Sequence, residues 1–353
     1  MKISFLLPHV HLAGGVKALL EYANRLLDRG HETTVFIPAS RPKWHQFGKK
    51  RELEQSGIKP VEAASIDWFS NHVPIFEIPE FTNQHLPDAD ILVVSSWQTA
   101  EAGALLASIK GKKYYFIQHY EALWTKQKLK ADATYTKPFC KIVISSWLRQ
   151  ILKYKFEQET RLLVTPVNRD QFYCEQKIWN EPPKICLLHH DYDWKGYAHG
   201  IAAVQNLRKK NIESRLIVFG EKLKDPKPLF QTAGFDFEYH YRPTGEMLRK
   251  IYSASDIYLC PSWHEGLGMP AMEAMACRCA LVTTDTGGCR DYAIQGQTAL
   301  VSAARDVAAL TENLDKMTND VELRDRLSEN GYQKILEFNW DSNVDQLEKW
   351  FTI

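Results

Sequence analysis

Short apolar runs alternate with segments of helical spacing along most of the chain. The alternation breaks near residues 170–184 and then starts afresh. Lys2–Leu7 has the character of a buried strand. After a loop containing Gly14-Gly15, Val16–Asp28 places Leu19, Leu20, Ala23, Leu26 and Leu27 at helical spacing. Gly30 supplies a C-terminal cap, and Thr33–Ile37 reads as the next strand. Ile91–Ser95, Tyr114–Gln118 and Lys141–Ser145 read as further buried strands, and Asn180–Lys184, with its Pro182-Pro183, as a linker. Beyond it follow strands at Ile185–Leu188, Arg215–Phe219, Ile257–Cys260 and Ala280–Thr283. Helices at His199–Lys209, Glu246–Ser253 and Pro270–Cys277 lie between them. Such alternation demands parallel strands joined by right-handed crossovers. Two runs of it predict an α/β protein of two doubly wound domains facing across a cleft, with ligand bound where the strands' carboxyl ends open onto that cleft. The expected domains are 1–170 and 171–335. In the C-terminal segment, 336–353, Leu347, Trp350 and Phe351 are spaced to pack a helix back on the first domain.

At 353 residues the chain is longer than one core usually serves. Lys plus Arg number 44 and Asp plus Glu 43, so the formal charge is +1, which argues against a nucleic-acid partner. The balance hides a division: residues 1–170 hold 23 basic and 17 acidic side chains, the remainder 21 and 26. No apolar run reaches the roughly 18 residues that span a bilayer, and Met1–Leu7 is too short for a signal-peptide core. The seven cysteines form no CxxC pair and read as reduced thiols of a cytoplasmic protein.

The chemistry concentrates in Pro261-Ser262-Trp263-His264-Glu265-Gly266-Leu267-Gly268-Met269-Pro270, between a buried strand and a helix whose first turn Pro270 marks. Gly266 and Gly268 leave backbone N–H groups bare, and the helix directs its positive end at them, a combination suited to a diphosphate. Glu273 sits among Ala271, Met272, Ala274 and Met275. A carboxylate buried there needs a partner, and the two hydroxyls of a ribose would serve, as would solvent or a nearby lysine.

Two glutamates seven residues apart, in Glu265-Gly-Leu-Gly-Met-Pro and Glu273-Ala-Met-Ala, resemble the signature of retaining glycosyltransferases of the GT-B fold, the sugar-nucleotide-dependent family four (group 1). Ser253-Ala-Ser-Asp256, Thr284-Asp285-Thr286-Gly287-Gly288, Gly14-Gly15 and Trp194-Lys195-Gly196 agree with it. The likeness is strong over residues 185–300 and loose over 1–170. The resemblance implies two Rossmann-like domains and a UDP-sugar co-substrate. It assigns Glu273 to the ribose, Glu265 to the sugar hydroxyls, and the backbone of Gly266, Leu267 and Gly268 to sugar and phosphates. Lys195 would meet the departing diphosphate, Gly14 and Gly15 would let the first domain's backbone approach it, and His119 would stand near the sugar. Glu265, His119 and Lys195 are thus the candidate catalytic residues. Tyr120, Glu121 and Trp124, with Trp97 nearby, are candidate contacts for a saccharide or lipid-linked acceptor.

One position departs from the family pattern. Where an arginine is expected five residues before the lysine stands His190, after His189. A histidine has less fixed charge and no fork of donors. Either the phosphate protonates His190, or another cation such as Arg242 or Arg290 fills in, or the donor binds more weakly. Asp88-Ala-Asp90 and Asp191-Tyr-Asp193 look like metal signatures of another fold but read as turn residues, and no metal is expected. Arg41–Arg51 and Trp124–Lys130 combine basic and aromatic residues, a pattern suited either to solvated loops or to an anionic membrane surface. The expected protein is therefore a cytoplasmic hexosyltransferase, peripheral on the inner face of the membrane if those stretches dock there, acting in polysaccharide or glycolipid assembly. The alternatives are a GT-B-fold UDP-sugar epimerase, which needs acid–base carboxylates at the reacting carbon, and a non-catalytic nucleotide-sugar-binding protein, which the missing arginine would suit.

Overall fold

The computed structural model describes residues 1–39, 58–62 and 66–352, so the basic stretch Arg41–Arg51 lies outside the described residues. The chain forms two compact units, Met1–Val164 with Asp341–Ile353, and Thr165–Trp340.

In chain order the first unit carries β1 (Lys2–Leu6), α1 (Gly14–Asp28), β2 (Glu32–Pro38), β3 (Lys59–Pro60), β4 (Ile75–Ile78), β5 (Ile91–Val94), α2 (Trp97–Leu105), β6 (Lys112–Ile117), α3 (Lys128–Tyr135), β7 (Cys140–Val143), α4 (Ser146–Phe156) and β8 (Arg161–Leu162). The sheet order is β3-β4-β2-β1-β5-β6-β7-β8, parallel throughout except for β3 on β4. Strand order reverses between β1 and β5, so the loop from β1 to Gly14 and Gly15, the first residues of α1, leaves the sheet at its topological switch point.

The second unit carries β9 (Lys184–His189), α5 (Tyr197–Lys209), β10 (Arg215–Gly220), α6 (Lys227–Ala233), β11 (Glu238–Tyr241), α7 (Gly245–Ala254), β12 (Ile257–Cys260), α8 (Met269–Ala276), β13 (Ala280–Thr284), β14 (Ala299–Ser302), α9 (Val307–Asn319) and α10 (Val321–Leu336). Its sheet, β11-β10-β9-β12-β13-β14, is wholly parallel, with strands wound outward in both directions from the β9/β12 pair. Helices cover both faces, which is why the strands read as unbroken apolar runs and not as alternating ones. Ile185, Leu187, Val218, Leu259 and Val282 from the sheet meet Val204 and Leu207 of α5 and Leu310 and Leu314 of α9 in one core.

Two expectations about the connections need correction. Asn180–Lys184 is not a linker. The N–H groups of Asn180 and Lys184 donate to the carboxylate of Asp256 at 3.1 and 2.6 Å, and the Asn180 amide reaches it as well. Asp256 is fully buried, and these donors satisfy a carboxylate that would otherwise be costly. With Lys177 donating to the Ser253 carbonyl, the whole approach to β9 is docked on the second unit. The chain accordingly changes units at Val164–Thr165, earlier than residue 170. The last helix, α11 (Trp340–Thr352), packs on the first unit. There the Phe351 ring meets Tyr114 edge-on at 4.8 Å, Asn343 donates to Tyr22 and to the Val164 carbonyl, and Glu348 pairs with Arg29 and His31.

Candidate active site

In a sheet wound outward from β9 and β12, the loops leaving those two strands diverge and open a crevice at their carboxyl ends. Lys195 leaves β9 on a single 3₁₀ turn, Asp193–Lys195, and Glu265 lies on the loop after β12. Backbone contact holds the two loops together. Trp263 donates its N–H to the Trp194 carbonyl at 2.7 Å, and Gly196, at φ 67°, sits so close to Pro261 that a Cβ would stand 2.0 Å from its carbonyl oxygen. Only glycine fits there, on both the conformational and the steric count.

The result is a direct ion pair. Lys195 Nζ donates to Glu265 Oε1 at 2.7 Å and to Oε2 at 3.0 Å, and Ser262 Oγ donates to Oε1 at 2.9 Å. The two charged side chains are only 15% and 11% exposed. The Trp194 ring flanks the ammonium at 4.5 Å and stacks on His264 at 4.9 Å. Glu265 is itself anchored by its N–H on the Thr286 carbonyl at 2.9 Å. A cavity adjoins the pair, lined by Leu188, Lys195, Ser262, Glu265, Gly268 and Pro270.

Beside the pair runs an open row of donors. The N–H groups of Gly266, Leu267, Gly268 and Met269 donate to no acceptor among the described residues. Gly268, at φ 93°, turns this row into the start of α8, where Pro270 has no N–H to give. Tyr292 holds the turn from behind by donating its hydroxyl to the Leu267 and Gly268 carbonyls at 3.0 and 3.2 Å. Successive free N–H groups at a helix start form an anion-binding concavity. Glu273 follows on α8 and is buried.

His190 stands half-buried at the end of β9. Burial, and then the charge of Lys195, push its pKa below the usual histidine value, while Glu221 and Asp191 pull weakly the other way. Its Nδ1 accepts the Tyr192 N–H at 3.1 Å, so the neutral ring carries its proton on Nε2. In that form His190 offers a hydrogen-bond donor at Nε2. Of the arginines that might compensate, Arg290 is held in a two-pronged pair with Asp285 at 2.9 and 2.7 Å, and Arg242 is exposed beyond β11. Burial also depresses the pKa values of His189 and His264.

In the first unit the candidates are distributed along the carboxyl edge of the sheet. Gly14 opens α1, whose N-cap, Ala13, has no side chain to offer. Gly15 is covered by Gln118, which donates to its carbonyl at 3.0 Å and stands where a Cβ would point. His119 is half-buried after β6, its carbonyl accepting from the Tyr135 hydroxyl. Tyr120 is buried, its hydroxyl engaged with Asp132 at 2.9 Å and with Lys155. Glu121 is buried too, and its carboxylate accepts the N–H of Trp97 at the first residue of α2 at 2.7 Å. The carboxylate expected at the acceptor thus caps a helix. Trp124 alone of the three lies exposed.

The two Asp-x-Asp sequences resolve differently. Asp88 pairs with Lys110 and Asp90 accepts the Lys2 N–H, both structural ties, whereas Asp191 and Asp193 are exposed. Among the described residues no three His, Cys, Asp or Glu side chains gather as a metal ion would require. Sequence reasoning missed Ser262 and Tyr292. Ser262, three residues before Glu265, carried no signal of its own, and Tyr292 acts from a distant turn.

Residues 169–334 match the model of the family described as glycosyl transferases group 1. D-inositol 3-phosphate glycosyltransferase of Corynebacterium jeikeium is 31% identical over 110 residues, which is 31% of this chain and 26% of that protein; the match spans about a quarter of the relative's length. Over nearly the whole chain the structure is similar to sucrose-phosphate synthase from Thermosynechococcus elongatus, with a TM-score of 0.79, 17% identity and 99% and 98% of the two chains covered. It is also similar to Anabaena HepE in complex with UDP and glucose, at a TM-score of 0.75, 16% identity, 100% of this chain and 99% of the other. Over residues 169–334 the second unit is thus similar to the glycosyl transferases group 1, and the fold of the chain is GT-B, like that of sucrose-phosphate synthase.

Proposed function

We propose that the protein transfers a hexose, with glucose from UDP-glucose the first candidate, to an acceptor hydroxyl with retention of the donor's α configuration. The observation that carries this reading is Lys195 joined to Glu265 at the β9/β12 switch point, beside four open N–H groups at the start of α8. In the proposed reaction the N–H row and Lys195 hold the diphosphate and stabilise the charge it gains as the glycosidic bond breaks. Glu265 orients the sugar through its hydroxyls, and Glu273 binds the ribose. The departing phosphate oxygen takes the acceptor's proton, so the chain supplies no separate base and no metal ion. The family resemblance also assigns His119, Gly14 and Gly15 to the donor. UDP is favoured by the likeness to HepE, a protein seen with UDP and glucose. The acceptor is a saccharide or lipid-linked sugar, and the exposed segment 123–130 docks the protein on an anionic lipid surface.

The test is a thermal-shift panel of UDP-, GDP-, dTDP- and ADP-sugars, followed by nucleotide release with and without EDTA and by NMR of the product's anomeric proton. A UDP-sugar should give the largest shift, release should survive EDTA, and the product should be α. Glu273→Ala should weaken binding of the best donor about ten- to a hundredfold, the cost of leaving ribose hydroxyls unpaired. A donor bound equally well by that variant removes the ribose assignment. A panel without any shift removes the transferase reading.

A further inference from the structure

Resting on the assignment of His119 to the donor, we infer that Tyr135 is a positioning residue for transfer: its hydroxyl fixes the backbone that carries the His119 ring. The chain leaving β6 turns sharply at Tyr120, whose φ of −82° and ψ of 86° lie close to an inverse γ-turn. That conformation brings the carbonyl of residue 119 towards the N–H of residue 121. The Tyr135 hydroxyl, from the last residue of α3, satisfies both groups at once. It accepts the Glu121 N–H at 3.1 Å and donates to the His119 carbonyl at 3.3 Å. One O–H thus spans the turn, as donor on one side and acceptor on the other, and sets the rotation of the two peptides that flank Tyr120.

The hydroxyl has little freedom of its own. Tyr135 is fully buried, its ring stacked on Tyr115 of β6 at 5.9 Å and 9° and packed on Phe156 of α4 at 5.1 Å. Burial, and then the charge of Glu121, raise its pKa, so the group remains an O–H donor. Neighbouring side chains add to the hold. Tyr120 donates its hydroxyl to Asp132 at 2.9 Å and accepts from Lys155, and the Glu121 carboxylate accepts the Trp97 N–H at 2.7 Å. Residues 119, 120 and 121 are therefore all held by side chains of α3. His119 stands half-buried, edge-on to the Trp147 ring at 6.3 Å. The direction of its ring follows from its backbone, and misplacing a reacting-site group by about 1 Å can cost about a hundredfold in rate.

Tyr135→Phe removes the hydroxyl and keeps the ring stack. With the nucleotide sugar that ranks first in the panel, kcat for nucleotide release should fall about tenfold. Titration of that donor's free nucleoside diphosphate should give the wild-type Kd, because the contacts assigned to Lys195 and the N–H row do not run through residue 119. A double-mutant cycle separates positioning from a weakened fold. In a His119→Ala background the same substitution should cost less than about twofold, since the ring it positions is gone. An equal loss in both backgrounds, or full turnover by folded Tyr135→Phe, overturns the inference. If thermal melting shows Tyr135→Phe to be unfolded, Lys155→Met takes its place. That change releases the Tyr120 hydroxyl from an exposed position, and its loss of turnover must likewise vanish in the His119→Ala background. A loss that persists there, or no loss at all, also overturns the inference. Turnover at the wild-type rate by His119→Ala instead removes the assignment of His119 to the donor, and the role of Tyr135 with it, while the transferase reading is judged separately by the wild type's response to the panel.

Discussion

At the scale of the residue, the same side-chain type does opposite things in the two units, and burial decides which. Glu265 pairs with Lys195, whereas the buried carboxylate of Glu121 accepts the backbone N–H of Trp97. Burial pushes the Glu121 pKa up to about 7, the bond from Trp97 opposing the rise, and the hydroxyls of Tyr115 and Tyr135 are the titratable groups facing it. The sign follows directly. A carboxyl whose pKa is raised on folding binds its proton more tightly in the native state, so its contribution is present in full below about pH 4 and is lost as pH rises through 7. Glu121→Gln keeps the acceptor for Trp97 without the charge. It should leave stability unchanged near pH 4 and add up to about 3 kcal/mol by pH 8, the worth of a shift of this size at 1.36 kcal/mol per unit. Urea unfolding of both proteins across pH 4–8 measures this, and a gain equal at both ends would show the charge to be irrelevant. Neither Glu121 nor His190 could be judged from sequence. Motif position names a carboxylate or a ring, but burial and the Tyr192 N–H that fixes the His190 tautomer depend on segments brought together only by the fold.

At the scale of the element, most of the strands and helices that build the second unit's site were legible because their apolar spacing is regular. β12 falls on the expected residues, and β9, α7 and α8 within a residue or two at either end. The α-helix at Ser146–Phe156 and the edge strands at Arg161–Leu162 and Glu238–Tyr241 went unread, the strands being too short or too exposed to leave an apolar pattern. Asn180–Lys184 was misread because two prolines punctuate a chain whether it is free or docked, and what docks it is Asp256, far along the sequence. The glycine of Trp194-Lys195-Gly196 was visible, but its reason was not. With its Cβ position 2.0 Å from the Pro261 carbonyl and a left-handed backbone, Gly196 fixes the distance between the loops that carry Lys195 and Glu265. Gly196→Ala should cost about 3 kcal/mol or more, combining roughly 1–2 kcal/mol for the left-handed conformation with displacement of a backbone carbonyl. The folded fraction should also lose donor affinity, because Lys195 moves with residue 196. Denaturant unfolding and titration of a nucleotide sugar read the two effects apart, and near-wild-type values for both would refute the role assigned to this contact.

At the scale of the whole molecule, the unit boundaries redistribute the charge. The first unit, with α11 included, holds 23 basic and 19 acidic side chains, and the second 21 and 24. The C-terminal helix brings Asp341, Asp345 and Glu348 against Arg25, Arg29 and His31, so part of the basic excess expected for residues 1–170 is neutralised within its own unit. A diffuse positive field is therefore a weak basis for the proposed membrane docking, which rests instead on a local patch. Segment 123–130 has the required composition: Leu123, Trp124 and Leu129 are exposed together with Lys126, Lys128 and Lys130. No helix among the described residues is long and apolar enough to cross a membrane. With each lysine near an anionic surface worth about 1 kcal/mol, three of them supply a moderate attraction that salt should screen. Replacing Lys126, Lys128 and Lys130 together by glutamate should abolish co-sedimentation with vesicles rich in phosphatidylserine. Trp124→Ala with Leu129→Ser should weaken it while leaving its salt dependence intact. Wild-type protein that ignores anionic vesicles at low salt would remove the surface from the proposal and leave the donor contacts assigned to Lys195, Glu265 and Glu273 untouched.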